Sequence, residues 1–529
     1  MQGRRLRGGQ VSRRRALLQC FALCVLPILG GCLPGSLWGG DDDASRSSFA
    51  ESSEDSPALN RSYKTSFLPL KLPSFGAATV ESQTTPESGP SPFTSTVETR
   101  KPPQLNAPAL LPAAQALQNF YGALALLNAG KRSQPVSVVH LGGDQIVDDR
   151  FAASVREHLI SRFGNAGRGL MQPGLYPIRG MKIDRSGQWS LASASGEGTG
   201  PFGITGARVT SSANDAWLRF TSVDGTFDWI DVTLMTGPQQ GTAAVSVDGD
   251  VKLVPTRAQA TAQTSIRVTA KAREIMIRPR GDGAITVLSV ASGTNTSGLI
   301  YANVGLPGGT ALTIEKWNAD FAASDFRKLN PDLIIFEYGT REGSDDALDV
   351  KRYEDRLKLA FDQMKGWAPQ ASILIIGPPD AARIPAFAGS AGAQACRSLN
   401  AQEIAAYGQL MDRKDERLAR WHAPPRLDAV RMALKREAAE SGAFFWDWAK
   451  YMGGPCSIHA WTSAKPPLAS PDHVTLTEAG EERSARALFA ELMAGFETYQ
   501  RAPKERIPVA SAFNAEIQPA KPGGKKRKQ

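Results

Sequence analysis

Val136-Ser137-Val138-Val139-His140-Leu141-Gly142-Gly143-Asp144-Gln145-Ile146 reads as a strand, a turn and the approach to a helix. The near-continuous, β-branched apolar run is the pattern of a strand covered on both faces. Two glycines end it. Phe151, Val155, Leu159 and Phe163 then recur at helical spacing until Gly164 closes the run. Such a βα unit belongs to a parallel sheet, and the crevice outside the carboxyl end of its strand is where an α/β protein presents reactive groups. Asp144 stands there.

Upstream, Leu110, Ala114, Leu117, Phe120, Leu124 and Leu127 fall on one helical face, and Gly130 stops the pattern. Downstream, helical periodicity vanishes between 185 and 295. Short alternating runs replace it, such as Trp217-Leu218-Arg219-Phe220 and Glu274-Ile275-Met276-Ile277, with turn residues at regular intervals. That is the pattern of an antiparallel β-sandwich. Strand-like runs at 299–304, 333–338, 373–376 and 443–447 then alternate with helical patterns near 312–328, 348–366, 400–418, 425–441 and 478–499. Alternation of this kind predicts a parallel sheet with helices on both faces. The expected fold is a three-layer α/β domain, 105–180 and 298–500, interrupted by an inserted sandwich at 181–297.

The 529-residue chain carries a net charge of +9, yet the charge sits at its ends. Residues 1–32 and 501–529 each contribute +6, which leaves about −3 for 33–500. The body has no basic excess with which to neutralise phosphates, so nucleic acid is not an expected partner. The tail 501–529, ending in Lys525-Lys526-Arg527-Lys528, reads as a solvated end, with contact to an anionic surface as the sharper alternative. At the other end, six arginines precede an apolar run from Ala16 to Leu29, too short for a comfortable bilayer span. It closes in Leu29-Gly30-Gly31-Cys32, which resembles a bacterial lipobox. The expectation is a signal segment over 1–32, lipidation of Cys32 and membrane attachment facing the periplasm. An ordinary cleaved signal and an uncleaved anchor are the other two readings. Residues 33–104, rich in Ser, Thr, Pro, Gly and acids, read as a disordered tether. Only Cys396 and Cys456 remain in the body, as a disulfide or as two buried thiols. The five histidines are scattered, and neither a metal nor a cofactor is expected.

Several blocks, in order, resemble those of SGNH (GDSL-type) hydrolases, and among them envelope-polysaccharide esterases of the peptidoglycan O-acetylesterase kind. They are Gly142-Gly143-Asp144-Gln145, Arg162 to Gly169, Gly305-Leu306-Pro307-Gly308-Gly309-Thr310, Pro331 to Thr340, Ile375 to Asp380, Met452-Gly453-Gly454-Pro455 and Asp472-His473-Val474-Thr475. The resemblance implies a nucleophilic serine, an oxyanion hole built from a glycine N–H and an asparagine, and an Asp-x-x-His pair. Ester hydrolysis by that route needs all of them. Here Asp144 stands at the serine position, Gly308 at the oxyanion glycine, Arg341 at the oxyanion asparagine, Asp472 at the triad acid and Thr475 at the base. No serine lies between Leu141 and Arg150, so a register slip restores nothing.

Loss of one triad member typically costs about a thousand-fold or more in rate. The expected function is therefore a catalytically degenerate esterase homologue that binds or positions envelope glycan. The alternative is an active carbohydrate or peptidoglycan O-acetylesterase using unorthodox residues, with His473 as a substitute base for Asp144. A third reading is an envelope assembly protein silent on glycan. Asp144 and Arg341 are expected either to pair across the old cleft or to point separately into solvent. In the sandwich, Trp189, Trp217 and Trp229 either stack on sugar rings or fill its core.

Overall fold

The computed structural model describes residues 112–502 except 174, 175 and 177. The signal segment with Cys32, the tether and the tail beyond 502 lie outside the described residues.

Val136–Gly142 is an interior strand of a six-stranded sheet whose order is Phe444–Trp446, Ser372–Ile376, Leu333–Glu337, Val136–Gly142, Leu299–Gly305 and Asn165–Gly167. Every pairing in it is parallel. All seven residues of Val136–Gly142 are buried, as its near-continuous apolar run implies. Side chains alternate across a strand. Val136 and Val138 accordingly enter one core with residues of helices Gln118–Asn128, Arg150–Phe163 and Glu478–Arg501. Val139 and Leu141 enter a second core with helices Ala319–Leu329, Val350–Trp367 and Leu427–Ser441. This is the expected three-layer arrangement.

Helix starts follow local chemistry. Asn318 accepts from the Phe321 N–H, Asp349 from that of Arg352, and Thr477 from that of Gly480, each satisfying an otherwise orphan donor. The first of these caps divides the helical pattern expected over 312–328. A 3₁₀ turn at Ala311–Lys316 precedes the cap and the helix follows it. The pattern at 400–418 likewise breaks into Ala401–Ala405, Tyr407–Asp412 and a short turn at Glu416–Leu418.

Between 181 and 293 lie two antiparallel sheets. One runs in the order Asp250–Pro255, Thr242–Val247, Glu274–Pro279, Trp217–Ser222, Met181–Ser186. The other runs Ala262–Ala272, Phe227–Thr236, Ile285–Gly293, Ala207–Ser211, Ser190–Ser193, with Gly169–Met171 added beside Ile285–Gly293. A third core of Leu218, Phe220, Ile230, Val232, Val245, Ile277 and Val287, among others, fills the space between the sheets. The β-rich segment leaves the α/β domain after helix Arg150–Phe163 and the short strand Asn165–Gly167, and returns directly into Leu299–Gly305.

Cys396 and Cys456, 60 residues apart, form a disulfide with a Cα–Cα distance of 5.8 Å. It ties the long connection after Ser372–Ile376 to the turn preceding helix Ser457–Thr462. By loop-closure entropy a bridge of this span stabilises the fold by about 4 kcal/mol. Cys396→Ser is expected to lower the unfolding free energy by up to about that amount. Denaturant titration with and without reductant checks it, because the variant should be insensitive to reductant where the parent protein is not.

Candidate functional site

The carboxyl ends of Val136–Gly142, Leu299–Gly305 and Leu333–Glu337 open onto a cleft of about 290 Å³. Its walls bring together Asp144, Arg341 and Thr475, residues far apart in sequence that the family resemblance assigns to one site, and the glycine that lines it is Gly309, next to the expected Gly308. Backbone approach is close here: a Cβ on Gly143 would stand 2.6 Å from the carbonyl oxygen of Gly309.

Asp144 begins a 3₁₀ turn, Asp144–Ile146, directly after the strand. One carboxylate oxygen accepts the Gly308 N–H at 2.7 Å, and the other receives the Arg341 guanidinium at 3.4 Å. Gly308 has φ +68°, which aims its N–H into the cleft at no steric cost. The amide that the sequence resemblance assigns to the oxyanion position is thus bonded to the side chain it assigns to the nucleophile position. Both members of the Asp144–Arg341 pair are more than half exposed, so the pair is a surface ion pair and not a buried plug. Its contribution to stability is about 1 kcal/mol or less.

Asp472 and Thr475 form a closed turn. Asp472 accepts the N–H groups of Val474 and Thr475, both at 2.9 Å, and the Thr475 hydroxyl at 2.7 Å. Partial burial would raise the Asp472 pKa, but these three donors outweigh it and hold the carboxyl below its ordinary value. Thr475 lines the cleft with its hydroxyl committed to Asp472.

His473 is not placed beside Asp144. It takes a left-handed backbone conformation (φ +59°), so the segment turns here and does not run extended. Its ring stacks on Trp421 with centroids 3.6 Å apart. Its nitrogens lie 2.9 Å from His459 Nδ1 and 2.9 Å from the Pro471 carbonyl. It does not line the cleft, and burial lowers its pKa. Among the described residues no histidine lines the cleft. Ser344, which does, donates its hydroxyl to Thr340 of its own turn.

The cleft floor is acidic, a feature the sequence blocks do not display. Glu337 ends its strand buried at 3% exposure, with Oε2 2.8 Å from His140 Nε2 and Oε1 without a hydrogen-bond partner. His140, also fully buried, places its other nitrogen 2.8 Å from the Tyr301 hydroxyl. Glu481, in the first turn of Glu478–Arg501, lies 3.1 Å from Arg150 Nε, and Arg150 also pairs with Asp148. Burial, then the charges of Asp148 and Glu337, push Glu481 up to about 8. Glu342 caps its own turn by accepting the N–H groups of Ala311 and Gly339. An acid ending an apolar strand, as in Phe336-Glu337-Tyr338, is a signal the sequence carried. Nothing local distinguishes Glu481 from the other acids of its helix.

Below the floor, the fully buried Asp149 receives Arg156, Arg168, the Asn303 amide at 2.8 Å and the Arg179 N–H at 2.9 Å. Burial raises its pKa, and the two guanidinium groups overcome that and hold the carboxyl below its usual range.

The sandwich tryptophans form no shared sugar platform. Trp189 packs against the sandwich core. Trp217 and Trp229 stand in different sheets, each with an arginine over its ring, Arg219 at 4.8 Å and Arg267 at 4.4 Å. The opposite side of Trp229 lies against Gly293. Trp229 also borders a larger groove of about 480 Å³ between the two layers, with Arg132, Asp231, Arg267 and Lys328. It opens at the amino-terminal ends of the parallel strands, away from the cleft.

A scan against protein-family models and a search of curated proteins each return no match. Among solved structures, a peptidoglycan O-acetylesterase superposes with a TM-score of 0.59 at 20% identity, covering 73% of this chain and 99% of that one. A family two carbohydrate esterase from Cellvibrio japonicus aligns at 10% identity over 60% of this chain and 99% of that one, with a TM-score of 0.23. A protein described as a GDSL-like lipase from Parabacteroides merdae aligns at 15% identity over 38% and 73%, with a TM-score of 0.25. The first superposition establishes that this chain has the SGNH-hydrolase fold, as its sequence blocks imply.

Two predictions follow from the charges. Asp149→Ala leaves two buried guanidinium groups unpaired and should cost about 3–5 kcal/mol, whereas Asp144→Ala should cost about 1 kcal/mol or less. Urea titration of the two variants separates them. For Glu481, the native chain holds a proton that the unfolded chain has released. Stability should therefore fall as pH rises from the ordinary glutamate value towards about 8, and level off above it. Glu481→Gln should flatten that part of the pH–stability profile.

Proposed function

We propose that this protein is an SGNH-fold envelope component that has given up ester hydrolysis and binds cell-envelope glycan. One observation carries the loss of catalysis: the Gly308 N–H that would receive a developing oxyanion is bonded to Asp144. An oxyanion hole works by presenting preorganised donors to charge that appears only in the transition state. A carboxylate at 2.7 Å occupies that donor permanently and places negative charge where negative charge would have to develop. Asp144 also lacks an imidazole to activate it, since His473 faces Trp421 and both His140 nitrogens are engaged beneath the floor.

The glycan reading is supported by the shared fold with a peptidoglycan O-acetylesterase. It rests on analogy of fold, so the partner class and not the individual polymer is inferred. The envelope address is supported by the signal-like segment ending at Cys32 and by the Cys396–Cys456 bridge, a bond that persists in oxidising compartments. A lipid on Cys32 would hold the folded domain near the envelope by the tether 33–104, facing the periplasm.

The purified protein should release no acetate above blank from O-acetylated peptidoglycan or acetylated xylan, yet should co-sediment with insoluble peptidoglycan. Acetate release by the parent protein would overturn the loss of catalysis. Absence of co-sedimentation would overturn the glycan reading. Asp144→Ser alone should remain inactive, because Arg341 and Thr475 still occupy the other two positions. Hydrolysis regained from that single change would show that the remaining residues suffice.

A further inference from the structure

The cleft is open and predominantly acidic. Five carboxylates line it, Asp144, Asp148, Glu337, Glu342 and Glu481, against two guanidinium groups, Arg150 and Arg341. Most of these acids are satisfied from within the protein. Asp144 is held by Gly308 and Arg341, Asp148 by Arg150, and Glu342 by two backbone N–H groups. Two buried oxygens are exceptions, Glu337 Oε1 and Glu481 Oε2. Glu481 Oε2 makes no hydrogen bond but still faces Arg150 Nε at 3.1 Å, whereas Glu337, 3% exposed, has only its Oε2 engaged, and its Oε1 has no partner. A buried acceptor left unmade is costly, more so when it bears charge. A donor arriving from the cleft would relieve that cost.

The geometry points to a protonated amine as that donor: the cleft binds the free 2-ammonium group of an amino sugar on Glu337 Oε1, with the acids around it receiving the sugar's hydroxyls. This rests on the glycan reading above and names the sugar class the cleft selects. A metal ion is disfavoured, since among the described residues no three His, Cys, Asp or Glu side chains converge as metal ligands. A volume of about 290 Å³ lies at the small end of ligand pockets and suits one sugar ring. An N-acetylated sugar would present a neutral amide instead of a cation, and hydrogen bonds between two charged groups are about twice as strong as neutral ones.

Glu481 adds a second signature. Burial and the charges of Asp148 and Glu337 keep its proton on near neutral pH, against the opposing pull of Arg150 and Arg179. An ammonium group entering beside Glu337 favours the ionised form of Glu481. Binding should therefore release a proton to solvent.

The test is calorimetric titration of the full-length protein with D-glucosamine, N-acetyl-D-glucosamine and D-glucose at slightly acid pH. Two buffers of unlike ionisation heat count the protons released. D-glucosamine is expected to bind at least about ten-fold more tightly than the other two, with net proton release. Glu337→Gln and Glu481→Gln, each checked for folding by thermal melt, should abolish the preference and the proton release respectively. The parent titration stands alone if either variant fails to fold. Equal binding of the three sugars, or none, while peptidoglycan still co-sediments, overturns the amine assignment and leaves the glycan reading intact. Loss of both overturns the two together. A glucosamine preference that survives in folded Glu337→Gln overturns the placement of the amine in this cleft.

Discussion

The carboxylate of Asp149 is the contact on which the geometry of the cleft rests. It joins four separate pieces of chain: the turn after the first strand, the following helix through Arg156, the glycine-rich loop through Arg168 and Arg179, and the neighbouring strand through Asn303. Asp149 itself takes a left-handed backbone conformation at φ +56°, a strain that persists only where the surroundings fix it. Buried charges are tolerated when fully paired and hydrogen-bonded, and this one is. Burial draws Arg168 down to about 10, yet the guanidinium stays charged at any physiological pH. The turn carrying Asp144 is thereby anchored from below.

With the scaffold fixed, the substitutions at the reactive positions form a self-consistent set. Asp144 takes the Gly308 amide and the Arg341 guanidinium; Thr475 takes Asp472. Each of these side chains finds a partner within the cleft or its rim. The exposure of the Asp144–Arg341 pair leaves the cleft open above the buried carboxylates of Glu337 and Glu481.

Much of this was legible in the chain. The near-continuous apolar run Val136 to Leu141 announced a doubly covered strand, and the alternating runs between Trp217 and Leu288 announced antiparallel sheets, because burial on one face or two leaves a period that sequence displays directly. That Asp144, Arg341 and Thr475 share one cleft was legible for a different reason, since they sit inside blocks whose order resembles that of a known family. Helix ends were less legible. Asn318 starts a new helix within a continuous apolar pattern, and periodicity does not register a cap.

By itself, then, the sequence determined the layers and the strand at the centre, and its resemblance to an esterase family implies an acid, a cation and a hydroxyl at the serine, asparagine and histidine positions. Only the tertiary structure decided what those groups do. The left-handed turn at His473 removed it from the cleft to Trp421, and the packing of helix Glu478–Arg501 brought Glu481 beside Arg150. The sandwich tryptophans were separated onto different sheets. The Cys396–Cys456 pairing was likewise settled in three dimensions. The physical reason is range. Local pattern records which face of an element is buried, whereas the partner of a charge or a thiol is fixed by where distant elements pack.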